Sequence, residues 1–258
     1  MYRLLAMDLD KTLLQEDGSI PDKTIGRLKK LKSEGVHLAL CTGRVRASAE
    51  HYAEVIGGAS VVCFNGSFIR TEGGEILESE IPAETVKKVL DFCYDNGVYV
   101  QFYRNDTILV DRHTPELDTD LDIHFTDYEE CGDLRLTDVK ASPKMVALEM
   151  SDRIDDIIEK MRNEFPQLTM NVSSRYVIEI MPNGIDKGYG LSIVADFLGI
   201  KRDEVVAIGD SMNDLAMIEW AGVGVAVANA DDRLKSAADI VTKKPKSLGV
   251  LEIAKKLF

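Results

Sequence analysis

Two acids one residue apart, Asp8 and Asp10, close the run Met1-Tyr2-Arg3-Leu4-Leu5-Ala6-Met7, which is apolar apart from Arg3. On an extended strand they share a face, because side chains alternate with period two. A pair of neighbouring carboxylates can divide labour. One can attack an electrophile, and on phosphorus this gives an aspartyl-phosphate. The other can hold a proton. Thr12, two residues on, adds a hydroxyl and a backbone N–H. The same residues also suit a strand-ending turn with two solvated acids.

Three further stretches carry groups that fit phosphoryl chemistry. Cys41-Thr42-Gly43-Arg44 follows a second apolar run. Thr42 offers a hydroxyl, Gly43 lets the backbone approach a ligand, and Arg44 can pair with an anion or an acid. An ordinary strand-to-helix turn explains them as well. In Gly184-Ile185-Asp186-Lys187-Gly188, Lys187 opens a predicted helix. A cation there opposes the helix dipole, so its position suggests a task such as holding phosphate oxygens. A solvated lysine at that end costs only tenths of a kcal/mol. Finally, Gly209-Asp210-Ser211-Met212-Asn213-Asp214 follows another apolar run. Asp210 and Asp214, with Asp8 and a backbone carbonyl of Asp10, make a hard-oxygen set suited to Mg²⁺. Helix capping by Asp210 or Ser211 suits the same residues.

The elements that position these groups alternate. Residues 2–9, 36–41 and 60–64 read as strands, and residues 22–34 and 47–56 as amphipathic helices. Short segments at 68–71 and 75–80 flank Gly73-Gly74 as a hairpin. The pattern resumes with a helix over 187–198, a strand over 205–208, a helix over 211–220 and a strand over 223–227. Residues 231–237, 240–241 and 248–257 complete it. Strand–helix alternation predicts a parallel sheet covered on both faces, with ligands beyond the carboxyl ends of its strands. All four stretches fall on that edge.

Residues 83–182 follow another grammar. A helix and a hairpin occur twice, over 83–111 and 152–181, with a strand over 144–150 between them. This predicts an α+β insert with a weak internal repeat, bordered by Pro82 and Pro182. The core is then discontinuous, 1–82 with 183–258. Tyr103 and Arg104 fall at one predicted hairpin tip, Ser174 and Arg175 at the other. They are turn residues, or groups that read a sugar hydroxyl or second anion. Residues 112–142 are acidic and carry no readable element.

The 258 residues are ample for two domains, and a net charge of −13 argues against nucleic acid or an anionic membrane as partner. Hydrophobic residues at 45% and charged residues at 29% give an ordinary globular balance. Cys41, Cys63, Cys93 and Cys131 form no C-x-x-C pair and read as free thiols. No leader or spanning run is apparent, so a cytoplasmic protein is expected.

Asp8-Leu9-Asp10-Lys11-Thr12, a strand ending in Thr42, Lys187, and Gly209–Asp214 together resemble the four motifs of the haloacid dehalogenase superfamily. The insert, Asn65-Gly66 and the run Ile-Glu-Ile-Met-Pro-Asn-Gly-Ile-Asp-Lys-Gly at 178–188 are similar to the Cof-type, C2B-capped sugar-phosphate phosphatases (subfamily IIB). The resemblance implies a Rossmann-like core and a mobile cap, and a Mg²⁺-dependent phosphatase of small phosphorylated metabolites. It implies Asp8 as nucleophile and metal ligand, and Asp10 as general acid/base that lends its carbonyl to the metal. Thr42 and Lys187 would hold the phosphoryl group. Asp210 would bind magnesium with support from Asp214. Leu9, Gly43, Arg44, Asn65, Gly66 and Asn213 would line the substrate and phosphate site. Many relatives carry Asn where Ser211 stands. A monomer or weak homo-oligomer is expected. A sugar phosphomutase could use the same aspartates, and a non-catalytic sugar-phosphate-binding protein would be expected to have lost some of them.

Overall fold

The computed structural model describes residues 2–114, 127–174 and 176–258. In chain order the first elements are β1 (Leu4–Met7), α1 (Asp22–Ser33), β2 (His37–Cys41), α2 (Arg46–Val55), β3 (Ser60–Cys63), β4 (Phe68–Thr71) and β5 (Gly74–Glu78). The insert carries α3 (Ala83–Asn96), β6 (Tyr99–Arg104), β7 (Thr107–Val110), β8 (Tyr128–Glu130), β9 (Met145–Leu148), α4 (Ile154–Glu164), β10 (Leu168–Ser174) and β11 (Val177–Pro182). The chain closes with α5 (Lys187–Phe197), β12 (Val205–Gly209), α6 (Leu215–Trp220), β13 (Val223–Ala226), α7 (Asp232–Ala237), β14 (Ile240–Val241) and α8 (Lys246–Lys256).

The first and last groups share one sheet in the order β14-β13-β12-β1-β2-β3-β4-β5. The strands from β14 to β3 are parallel, and β4 and β5 extend them antiparallel. All four residues of β1 are buried, as are those of β3. That is why both strands read as continuous apolar runs: helices cover both faces of a parallel sheet. Register decides where the site lies. Met7 of β1 stands opposite Leu40 of β2 and Ile208 of β12. The residues just beyond these strands, Asp8, Thr42 and Asp210, therefore emerge along one edge.

The insert has its own sheet, ordered β10-β11-β9-β6-β7-β8. The two predicted helix–hairpin units are present. Their hairpins flank β9, which pairs antiparallel with β11 on one side and β6 on the other. On one sheet face, Met145, Ala147, Ile178 and Ile180 join α3 and α4 side chains such as Val89, Phe92, Ile157 and Met161 in a separate apolar core. On the other face, Val146, Leu148 and Val177 join the main core. Within residues 112–142, β8 runs parallel to β7, and Leu134–Leu136 form a short turn. The expected hairpin-tip residue Arg175 lies outside the described residues, and Ser174 is described only as the end of β10.

Two elements differ from expectation near the site. The first strand ends at Met7, not at residue 9. Leu9–Leu13 form one wide turn, closed by the N–H groups of Leu13 and Leu14 donating to the carbonyls of Asp8 and Leu9. Lys11 sits in the left-handed region at φ 56° inside it. Buried Leu9 and Leu13 anchor the turn in the core. The predicted helix over 211–220 begins as a separate turn, Met212–Asp214, before α6. Asp214 causes the break by folding back onto the N–H groups of Asp210 and Ser211.

All four cysteines are free thiols, as expected. Burial pushes Cys41 and Cys93 up to about 12, so these thiols do not ionise near neutrality. Among the described residues no helix is long and apolar enough to cross a membrane.

Candidate active site

Asp8 leaves β1 with its N–H donating to the Ile208 carbonyl, and its side chain is buried. Lys187, from the first turn of α5, donates from Nζ to Asp8 Oδ1 at 2.8 Å and to Asp214 Oδ1 at 2.6 Å. The helix start is fixed by Asp186, whose carboxylate accepts the Tyr189 N–H. The α5 backbone also lies close to its neighbour. A Cβ on Gly188 would stand 2.6 Å from the Ala216 carbonyl oxygen. The sequence thus places a buried ammonium where a helix normally favours an anion. Two carboxylates compensate it.

Asp210 and Asp214 complete the cluster. Asp210 accepts from Thr12 Oγ1 at 3.0 Å and from Ser211 Oγ at 2.8 Å. The second oxygen of Asp214 accepts the backbone N–H groups of Asp210 and Ser211. Capping and site-building therefore coexist in Asp214. Ser211 fills its position with a hydroxyl that holds Asp210. Carboxylate oxygens of Asp8, Asp210 and Asp214 lie within 4.8 Å of one another, all three residues buried. Burial, with Asp214, Asp210 and Asp10 nearby, pushes the Asp8 carboxyl well above its ordinary 3.8 against the pull of Lys187. Burial and Asp214 push Asp210 up to about 6. Burial disfavours the Lys187 charge, yet Asp214 and Asp8 raise it well above its ordinary 10.5.

Three buried acids against one buried ammonium leave negative charge uncompensated. The donors are hard oxygens, the set that a Mg²⁺-sized cation prefers. The residues present therefore fit such an ion.

Asp10 does not share a strand face with Asp8. The wide turn carries it out to the rim, where its side chain is 28% exposed and paired with Arg44. Arg44 donates through Nε at 2.8 Å and through a terminal nitrogen at 2.6 Å, one bond to each carboxylate oxygen. This is the two-pronged geometry that suits guanidinium and carboxylate. The other terminal nitrogen of Arg44 donates to Ser48 Oγ. Thr42 is fully buried, and its hydroxyl accepts the Arg44 N–H at 3.1 Å. Leu9 has its side chain buried in the core.

The remaining sequence-predicted residues meet the insert. Asn65, at φ 54°, donates its N–H to the Thr42 carbonyl. At Gly66, φ is 115°, and a Cβ would collide with the Asp186 carbonyl oxygen, so glycine is required. Asn213, a residue expected at the phosphate site, donates its side-chain amide to Glu179 of β11 at 3.1 Å. A Cβ on Gly43 would stand 3.0 Å from Glu179 Oε1 and 3.3 Å from Lys144 Nζ. Lys144 and Glu179 belong to none of the four motif stretches. The available signal was a charge inside each of two otherwise apolar runs. Tyr103 is no exposed tip residue. It is fully buried, edge-on to Phe64 with ring centroids 5.6 Å apart. Arg104 is at the surface, paired with Glu129.

Residues 5–253 match the family model of haloacid dehalogenase-like hydrolases. The 5-amino-6-(5-phospho-D-ribitylamino)uracil phosphatase YitU of Bacillus subtilis is 29% identical over 279 residues, covering 99% of this chain and 97% of that protein. A crystal structure of a haloacid dehalogenase-like hydrolase from Bacteroides thetaiotaomicron superposes with a TM-score of 0.87 at 27% identity over the whole of both chains. The subclass IIB sugar phosphatase BT4131 shares the fold, with a TM-score of 0.81 at 23% identity over 98% of this chain and 96% of that one.

Proposed function

The chain belongs to the haloacid dehalogenase-like hydrolases, and on that premise we propose that it is a magnesium-dependent phosphatase of small phosphorylated metabolites, sugar phosphates foremost, working through an aspartyl-phosphate on Asp8. The observation that carries this reading is the buried convergence of Asp8, Lys187, Asp210 and Asp214. The YitU relative, by its name, removes phosphate from a phosphorylated ribityl compound, which agrees with a small metabolite as substrate.

In this reading Asp8 and Asp210, with the Asp10 carbonyl, hold Mg²⁺, and Asp214 supports them while fixing Lys187. The ion supplies positive charge that offsets the carboxylates and the phosphoryl oxygens. Lys187 and the Thr42 edge orient the phosphoryl group in line between Asp8 and the leaving oxygen. An Asp8 oxygen forms the bond to phosphorus while the bond to the leaving oxygen breaks. Asp10 gives that oxygen a proton, then takes one from the water that hydrolyses the acyl phosphate. The Arg44 fork occupies both Asp10 carboxylate oxygens. For Asp10 to reach the leaving oxygen or the water, at least one of those two bonds must open as substrate arrives. Residues 83–182 form a cap that closes over a core of 1–82 and 183–258.

The test is phosphate release from a panel of phosphorylated sugars, nucleotides and cofactors. Release that needs Mg²⁺ and disappears in Asp8→Asn supports the reading. Equal release by Asp8→Asn, or none from any substrate, refutes it.

A further inference from the structure

Two charges of the cap lie where burial would normally forbid them. Lys144 and Glu179 have side chains 2% and 6% exposed, 3.0 Å apart. Alternation explains how they meet. Glu179 stands opposite Val146 in the β11–β9 ladder. Lys144, two residues before Val146, shares that residue's face. This face, with Val146, Leu148 and Val177, is turned toward the core domain. The pair then spans the domain boundary. Lys144 Nζ donates to the Gly43 carbonyl at 3.1 Å, and Glu179 accepts from Asn213 at 3.1 Å. Burial alone would raise Glu179, but Lys144, Lys187 and a bond from Asn65 hold it below its ordinary 4.5. The bonds to Gly43 and Asn213 place the pair beside the Thr42–Gly43 edge of the proposed phosphoryl site.

Stability alone does not account for such a pair, because two apolar residues of similar volume often serve as well or better. We infer that Lys144 and Glu179 are a positioning pair: they hold the closed cap on the Thr42–Gly43 edge and pin Asn213, and their charges bias phosphate binding there in opposite directions. The inference rests on the phosphatase reading. Swinging the cap away would break the bonds to Gly43 and Asn213 together and let water reach both charges. The pair thus supplies two polar contacts of the seated cap, beside the Ser67–Pro143 bond and the apolar face of Val146, Leu148 and Val177.

The experiment measures binding of inorganic phosphate to the full chain with Mg²⁺ by calorimetry, together with kcat. Lys144→Met leaves a carboxylate unbalanced beside the anion, and phosphate binding weakens about tenfold. Glu179→Gln leaves an ammonium unbalanced, and binding tightens by about threefold or more. Lys144→Arg keeps the charge and stays nearer to wild type than Lys144→Met. The double variant Lys144→Met/Glu179→Gln carries no unbalanced charge. It binds phosphate within about threefold of wild type, yet its kcat falls because the bonds to Gly43 and Asn213 that seat the cap are lost. Same-direction shifts in the two single variants, or unchanged affinity in both, overturn the inference. If a single variant fails to fold, the double variant decides: unchanged kcat overturns the inference, and lowered kcat with near-normal phosphate binding supports it. Absence of hydrolysis by the wild-type chain would sink the phosphatase reading, while the opposed binding shifts would still report on the pair.

Discussion

Lys187→Met removes the one ammonium buried among three carboxylates, and the structure sets the size of the effect. Lys187 is 1% exposed, and it donates at 2.8 Å to Asp8 and at 2.6 Å to Asp214. Methionine fills much of the same volume, so the loss is electrostatic. Removing one partner of a buried ion pair costs about 3–5 kcal/mol, since the other charge stays buried. For a chain of this size each kcal/mol lowers Tm by roughly 2–4 °C, so a fall of about 6–20 °C is expected. The assay is thermal unfolding at pH 7 in chelator. Added Mg²⁺ should raise the melting point of Lys187→Met more than that of wild type, because the ion replaces the missing charge. Asp8→Asn is the sign control. Burial and neighbouring acids push Asp8 well above 3.8. A carboxyl raised in the folded state stabilises fully below its unfolded value and loses that contribution as pH rises through the folded one. Removing its charge should therefore leave the metal-free melting point unchanged or higher. Lys187→Met melting within about 2 °C of wild type in chelator, or Asp8→Asn falling as far as Lys187→Met, would refute the electrostatic account.

Other perturbations follow from the same contacts. Saturating Mg²⁺ at one hundred times its Kd should add about 2.7 kcal/mol to wild-type stability. Asp210→Asn should abolish most of that gain, and an unchanged gain in calorimetric melting would remove Asp210 from the cation site. Gly188→Ala drives a Cβ to 2.6 Å from the Ala216 carbonyl oxygen. It should destabilise by about 1–3 kcal/mol, and an unshifted urea midpoint would show that the helices separate freely. Glu179 is held below its ordinary 4.5. Its contribution is complete above that value and is lost as pH falls through the lower folded one. The stability advantage of wild type over Glu179→Gln should therefore be largest above about pH 4.5 and shrink in more acidic solution. An advantage that grows on acidification in pH-dependent urea titrations would reverse the assignment.

Much of this arrangement was legible because local pattern and topology agree. Leu4-Leu5-Ala6-Met7 reads as a doubly buried strand, and Asp8, Thr42 and Asp210 each follow such a run. A parallel sheet then brings them to one edge without further information. Asp10 shows where pattern stops. Strict alternation carries it onto the Asp8 face, whereas the wide turn moves it out to Arg44, and a lysine at φ 56° has no signature in residue type. Asp214 was legible as either cap or site residue, and its two oxygens do both jobs. Lys144 and Glu179 lie 35 residues apart in sequence. Only the β9–β11 register joins them, and only the cap's seat on the core gives them Gly43 and Asn213 as partners. Those are long-range facts, and no local propensity encodes them.

The most direct test of the central claim is chemical trapping of the phosphoenzyme. The protein is mixed with Mg²⁺ and a hydrolysable phosphomonoester and quenched in acid during turnover. Borohydride then converts any aspartyl-phosphate to homoserine, and the digest is read by mass spectrometry. The account predicts homoserine at position 8 alone, present with substrate and absent without it. Homoserine at another aspartate, or rapid turnover with position 8 never modified, would contradict it.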